Sequence, residues 1–144
     1  MAALTKAYEA FIRPTLISSY KMAASTTIYK GALVAVNASG HAVPMAHGTA
    51  NLKFLGIAEE TVTNSGANGA ASLRVSKSGS GVYADSQSAT IADIGKEIYA
   101  LTDNEVQAVT TGLTNQYKVG TLIGLETTSF GAAGLRVRID NYSV

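Results

Sequence analysis

The chain contains no cysteine and no tryptophan. Without thiols there is no disulfide, no thiolate nucleophile and no cysteine-ligated zinc, so the fold has to hold through its core. At 144 residues that core is attainable, because a domain of this size buries roughly 70% of the surface its unfolded chain exposes. Charge is scarce too. Eleven basic residues face ten acidic ones, with no basic run, so no phosphate-binding surface and no direct nucleic-acid contact is expected. No apolar run approaches the ~18 residues of a membrane span, and the start MAALTKAYEAF lacks a signal-type apolar core; a soluble protein, not exported by that route and with no membrane partner, is expected.

Small residues fill the space left by charge, and short apolar runs are separated by turn chemistry. Residues 27–45 read as one β-hairpin: Ala32 to Val36 is apolar throughout, Asn37, Ala38, Ser39 and Gly40 supply a turn, and His41, Ala42 and Val43 resume. A strand apolar on both faces belongs at the centre of a sandwich or barrel. Further strands are expected at 52–60, 73–76, around Val82 and Tyr83, at 96–102, 106–109, 120–125 and 135–140. In the last, Leu135, Val137 and Ile139 alternate with Arg136, Arg138 and Asp140, one face core and the other wet or an interface. The expectation is an all-β domain, a compact β-sandwich or small β-barrel of about nine short strands.

An internal duplication is also legible. The hairpin after Gly31 matches the one after Gly95; Leu55-Gly56-Ile57-Ala58-Glu59 matches Ile123-Gly124-Leu125-Glu126; Leu73-Arg74-Val75 matches Leu135-Arg136-Val137. The domain then spans 27–144, with half-repeats 27–85 and 91–144 that close one core together. Residues 1–26 read as an N-terminal arm. Tyr8, Phe11 and Ile12 fall at helical spacing, Pro14 ends that turn, and Leu16, Ile17 and Tyr20 continue the apolar supply. These seven residues are the candidate interface, either folded back on their own domain or packed on another subunit.

Motifs for catalysis are few. His41 and His47 stand six apart without the spacing or carboxylate of a metal site, and Asp103, Asn104 and Glu105 read as a hairpin turn rather than a calcium loop. Gly79, Gly81 and Ala84 spell G-x-G-x-x-A without a following helix. No G-x-S-x-G elbow occurs. No enzyme, cofactor, metal or small-molecule substrate is expected. The sequons at Asn37 and Asn141 matter only in a secreted chain.

The strings IYKGALVAVNASGHAVP, FLGIAEETVTNSGANGA with LRVSKSG, IADIGKEIYALTDNEVQAV, and GTLIGLE with LRVRI resemble the capsid decoration, or cement, proteins of tailed bacteriophages. The likeness runs from Thr27 to Ile139 and is most specific at Gly56 to Val62 with Asn64-Ser65-Gly66, and at Gly95-Lys96 leading through Tyr99 to Asp103. Thr102-Asp103-Asn104 stands where the family often carries an Asp-Asp turn, and no family motif reaches residues 1–22. The resemblance implies a non-enzymatic virion protein, made in the bacterial cytoplasm, that binds the outer capsid surface as a homotrimer. There it would stabilise the head by bridging neighbouring major capsid protein subunits. The alternative is a fibre or adhesion module binding host-surface glycans through loop aromatics such as Tyr83 or Tyr117.

Overall fold

Alternation of apolar and polar side chains, punctuated by glycine, sets the strands. The structure, a computed structural model, describes residue 7 and residues 16–140 and 142–144. In chain order it holds β1 (Ile17–Lys21), β2 (Thr26–Ile28), β3 (Leu33–Val36), β4 (Ala42–Pro44), β5 (Lys53–Ala58), β6 (Val62–Asn64), β7 (Ser72–Ser76) and β8 (Ser80–Asp85). A single 3-10 turn, Ile91–Asp93, precedes β9 (Glu97–Ala100), β10 (Glu105–Gln107), β11 (Lys118–Thr127) and β12 (Ala133–Arg138). The all-β expectation holds. Among the described residues twelve strands stand where about nine were expected, the additions being β1, β2 and β6.

One pattern is used twice. The first sheet runs β1-β7-β5-β3-β4, and the second runs β8-β12-β11-β9-β10 and closes on itself as a barrel. Closure comes from a short parallel pairing of β8 with β10, Val106 opposite Asp85. The first sheet carries the counterpart, a lone parallel bridge of Met22 to Ala42, and the Ala23 N–H donates to the Ala42 carbonyl as that of Ser86 does to Val106. β1 is therefore the counterpart of β8, and the repeats align as 17–76 and 80–138. Residues Ile17 to Met22, assigned to the arm by sequence, belong to the folded body: Ile17 to Lys21 pair with Ser76 to Ser72, and Met22 is wholly buried.

The register matches residue for residue. Val34 faces Gly56 and Ala35 faces Phe54, leaving Leu55 as a bulge; Ile98 faces Gly120 and Tyr99 faces Lys118, leaving Val119 as a bulge. The counterpart of Gly56 is thus Gly120, not the Gly124 that the local string suggested. Both glycines answer one demand. A Cβ on Gly56 would collide with the Ser76 carbonyl oxygen and Val75, and one on Gly120 with the Arg138 carbonyl oxygen and Val137.

Each unit has its own interior. Val34, Ala42, Leu55, Ala58, Leu73 and Val75 fill the first; their counterparts Ile98, Val106, Val119, Leu122, Leu135 and Val137 fill the second. β3 and β5 then use their opposite faces. Leu33, Ala35, Phe54, Leu52 and Met45 join the core of the second unit, which makes the first sheet and the barrel one body and explains why β3 is apolar on both sides. The counterparts of Leu33, Ala35 and Phe54 are Glu97, Tyr99 and Lys118, and a Lys118–Glu97 ion pair of 2.9 Å covers that face.

Candidate functional site

Between the first sheet and the barrel lies a cleft of about 620 Å³, within the range of ligand-sized pockets. Five elements line it: the β2–β3 link with Tyr29, Lys30 and Gly31, Ile57 of β5, residues 80–84 of β8, the β9–β10 turn at Asp103 and Asn104, and the β11–β12 tip with Phe130. The repeat explains its position. Only three residues separate the end of β7 from the start of β8, so the first strand of the barrel is laid against β5, and the Ile57 side chain abuts Gly81.

The walls are fixed by hydrogen bonds. Tyr83 is buried on the floor and its hydroxyl donates to the Gly31 carbonyl at 2.8 Å. Burial first, and the Asp103 charge second, push that phenol well above its ordinary value, so it stays a donor. The Leu33 N–H donates to the Asp103 carbonyl at 2.8 Å, which ties the turn to β3 beside the cleft that Asp103 lines. Desolvation holds the Asp103 carboxyl above its usual range. Among the described residues neither Asp103 nor Lys30 has an ion-pair partner.

Two aromatic side chains stand at the rim in water. Phe130 is 92% exposed and Tyr29 63% exposed. Phe130 is presented rigidly: the Thr128 N–H donates to the Ala132 carbonyl at 2.8 Å, the Gly131 N–H to the Thr128 carbonyl at 2.9 Å, and Gly131 takes the left-handed φ of 84° that this tip requires. Sequence reasoning passed over both rings. The signal for Phe130 was there, since an aromatic flanked by Thr-Ser and Gly-Ala-Ala between two strands has no core to enter.

Of the seven candidate interface residues, Tyr8, Phe11, Ile12 and Pro14 lie outside the described residues. Leu16 and Ile17 are exposed at 64% and 51%, at the start of β1. The Leu16 carbonyl accepts from the Lys77 N–H at 2.8 Å, and Ile17 pairs with Ser76, which pairs in turn with Ile57. Directly paired residues share a sheet face, so Ile17 and the cleft-lining Ile57 point the same way. Tyr20 is half-buried, with its hydroxyl accepting from Lys77 Nζ at 2.7 Å and its ring beneath that ammonium at 4.8 Å. Lys77 Nζ also donates to the Leu55 carbonyl at the bulge and to the Val144 carbonyl. Tyr20 is thus part of the link between repeats.

The remaining sequence candidates have structural roles. His47 Nδ1 accepts from the Thr114 N–H at 3.0 Å and its carbonyl from Asn115 Nδ2 at 2.7 Å, holding the β10–β11 loop. His41 Nδ1 is buried without a partner among the described residues. Tyr117 is half-buried, and its hydroxyl bridges the Thr49 carbonyl and the Leu52 N–H. Among the described residues no three metal-ligating side chains cluster, and no helix is long and apolar enough to cross a membrane. No protein-family model matches the chain and no curated protein matches it.

Proposed function

We propose that this protein binds the outer surface of a tailed-bacteriophage capsid and stabilises the head by bridging neighbouring major capsid protein subunits, three copies acting together. The observation that carries the reading is the flank where Tyr29 and Phe130 stand exposed together at the rim of the cleft, with Leu16 and Ile17 also exposed at the start of β1. Large exposed aromatics close together on a small domain mark a surface for another protein, and an aromatic held at a tight hairpin tip loses little side-chain entropy when it is covered. The motifs that resemble decoration proteins support the same reading, because Gly56 and the hairpin after Gly95 lie in the repeated frame that presents this flank.

Attachment through a short segment is weak for one copy. Three segments on a trimer gain from effective concentration, without any new contact. The test is a chain cut to residues 16–144, which keeps β1 and Met22. Its circular dichroism and thermal transition should match those of the full chain, while its occupancy on expanded shells of the cognate major capsid protein, read by co-sedimentation, should fall at least tenfold. Undiminished occupancy would overturn the reading of the segment.

A further inference from the structure

We propose that the cleft is a saccharide site, holding a neutral hexopyranose unit of an oligosaccharide. Its polar half is the β9–β10 turn, which carries more side-chain chemistry than a turn needs. The matching turn of the first repeat closes alike, Asn37 N–H on the His41 carbonyl as Leu101 N–H on that of Glu105. There Asn37 spends its carboxamide locally, Oδ1 accepting from the Ser39 and His41 N–H groups at 3.0 Å. In the β9–β10 turn the local work falls to Thr102, whose hydroxyl accepts from the Asn104 and Glu105 N–H groups and donates to Asn104 Oδ1 at 2.9 Å. The Asn104 carbonyl accepts from the Ala84 N–H at 3.0 Å, so the turn is pinned to β8 as well as to β3. Left over are the Asp103 carboxylate and Asn104 Nδ2, neither engaged by another side chain among the described residues. A sugar hydroxyl donates and accepts at once, so an acceptor beside a donor on one rigid turn suits two neighbouring hydroxyls.

The apolar half is the pair of exposed rings at the rim, Tyr29 and Phe130. The negative face of an aromatic ring attracts the C–H face of a pyranose. Tyr83 and Tyr117, the loop aromatics expected to serve a glycan, are spent elsewhere, the first hydroxyl on Gly31 and the second on Thr49 and Leu52. Charge narrows the ligand. Lys30 and Asp103 are the charged residues of the lining; they have opposite signs and, among the described residues, form no ion pair with each other. The site therefore offers no net charge to a phosphate or a cation, whereas both groups bond to hydroxyls. The inference goes beyond the capsid reading, and the two ligands meet at the rim: a copy whose Tyr29 and Phe130 lie against a shell has its cleft covered.

The test is a titration of the full, isotope-labelled chain with the methyl glycosides of glucose, galactose, mannose and N-acetylglucosamine, read by amide chemical shifts. At least one should give saturable shifts at Gly31, Gly81 and Asn104 and leave Ser39, on the matching turn, unmoved. Asp103→Ala and Phe130→Ala should each weaken that binding about tenfold, the scale of a lost hydrogen bond to a charged group or of a lost ring contact, while keeping the thermal transition of the unaltered chain. Absence of a saturable shift with all four, shifts matched by glycerol, or unaltered affinity in either variant would overturn the proposal. So would tighter binding of methyl glucuronide than of every neutral glycoside. No shell enters this experiment, so its failure is separate from any failure of the capsid reading.

Discussion

At the residue scale the most informative positions are two glycines that the sequence had not paired. Gly56 has a φ of 144° and, like Gly120, sits where the neighbouring strand's carbonyl leaves no room for a Cβ. Gly56→Ala and Gly120→Ala should each cost about 2–4 kcal/mol, from overpacking at both positions with backbone strain added at Gly56, seen as a lower denaturation midpoint in urea. Gly124 is the contrast: a Cβ there would meet only Arg136 Cβ, at 3.9 Å, and Gly124→Ala should change the midpoint little. Equal tolerance at 120 and 124 would contradict the register. Local string similarity favoured Gly124 because Leu-Gly-Ile and Ile-Gly-Leu look alike, whereas the constraint that defines the position is the approach of β7 or β12, which no window of the sequence shows. Asp140 gives a second prediction. The Gly79 N–H at 2.5 Å and then Arg138 hold its carboxyl below the ordinary value of 3.8. A depressed acid contributes stability that is present above its unfolded pKa and lost as pH falls through the folded one. Asp140→Asn should therefore lower the melting temperature at neutral pH, with the difference closing as the pH falls below the ordinary value of 3.8.

At the scale of elements, the legible parts were those whose periodicity carried the burial. β12 was readable because Leu135, Val137 and Ile139 are wholly buried while their neighbours are exposed, and β3 because Leu33 and Ala35 serve one core and Val34 the other. β1 escaped because Ser18 and Ser19 interrupt its pattern and Pro14 suggested a stop. Its strand character comes from β7, a partner more than fifty residues away. β6 escaped for a related reason. Its last residue, Asn64, is a turn former by type, yet it is buried and its Nδ2 donates to the carbonyls of Met22, Ala23 and Ala67, a set that exists only once β1 and β2 are folded. The cleft was not legible at all, since its lining comes from both repeats and five segments. The flank was half legible: Leu16 and Ile17 were named, and Phe130 was passed over.

At the scale of the whole molecule, the two repeats are alike inside and different outside. The face that buries Leu33 and Phe54 in the first repeat is the Glu97–Lys118 pair in the second. That difference ends the stack at two units, as a polar outer face does in repeat proteins. What is left for partners is the flank. If its exposed aromatics do the gripping, a Tyr29→Ala/Phe130→Ala chain should keep the thermal transition of the unaltered protein, because both rings stand mostly in water, while its occupancy on expanded shells, read by co-sedimentation, falls about tenfold. Unchanged occupancy would move the gripping role away from this rim.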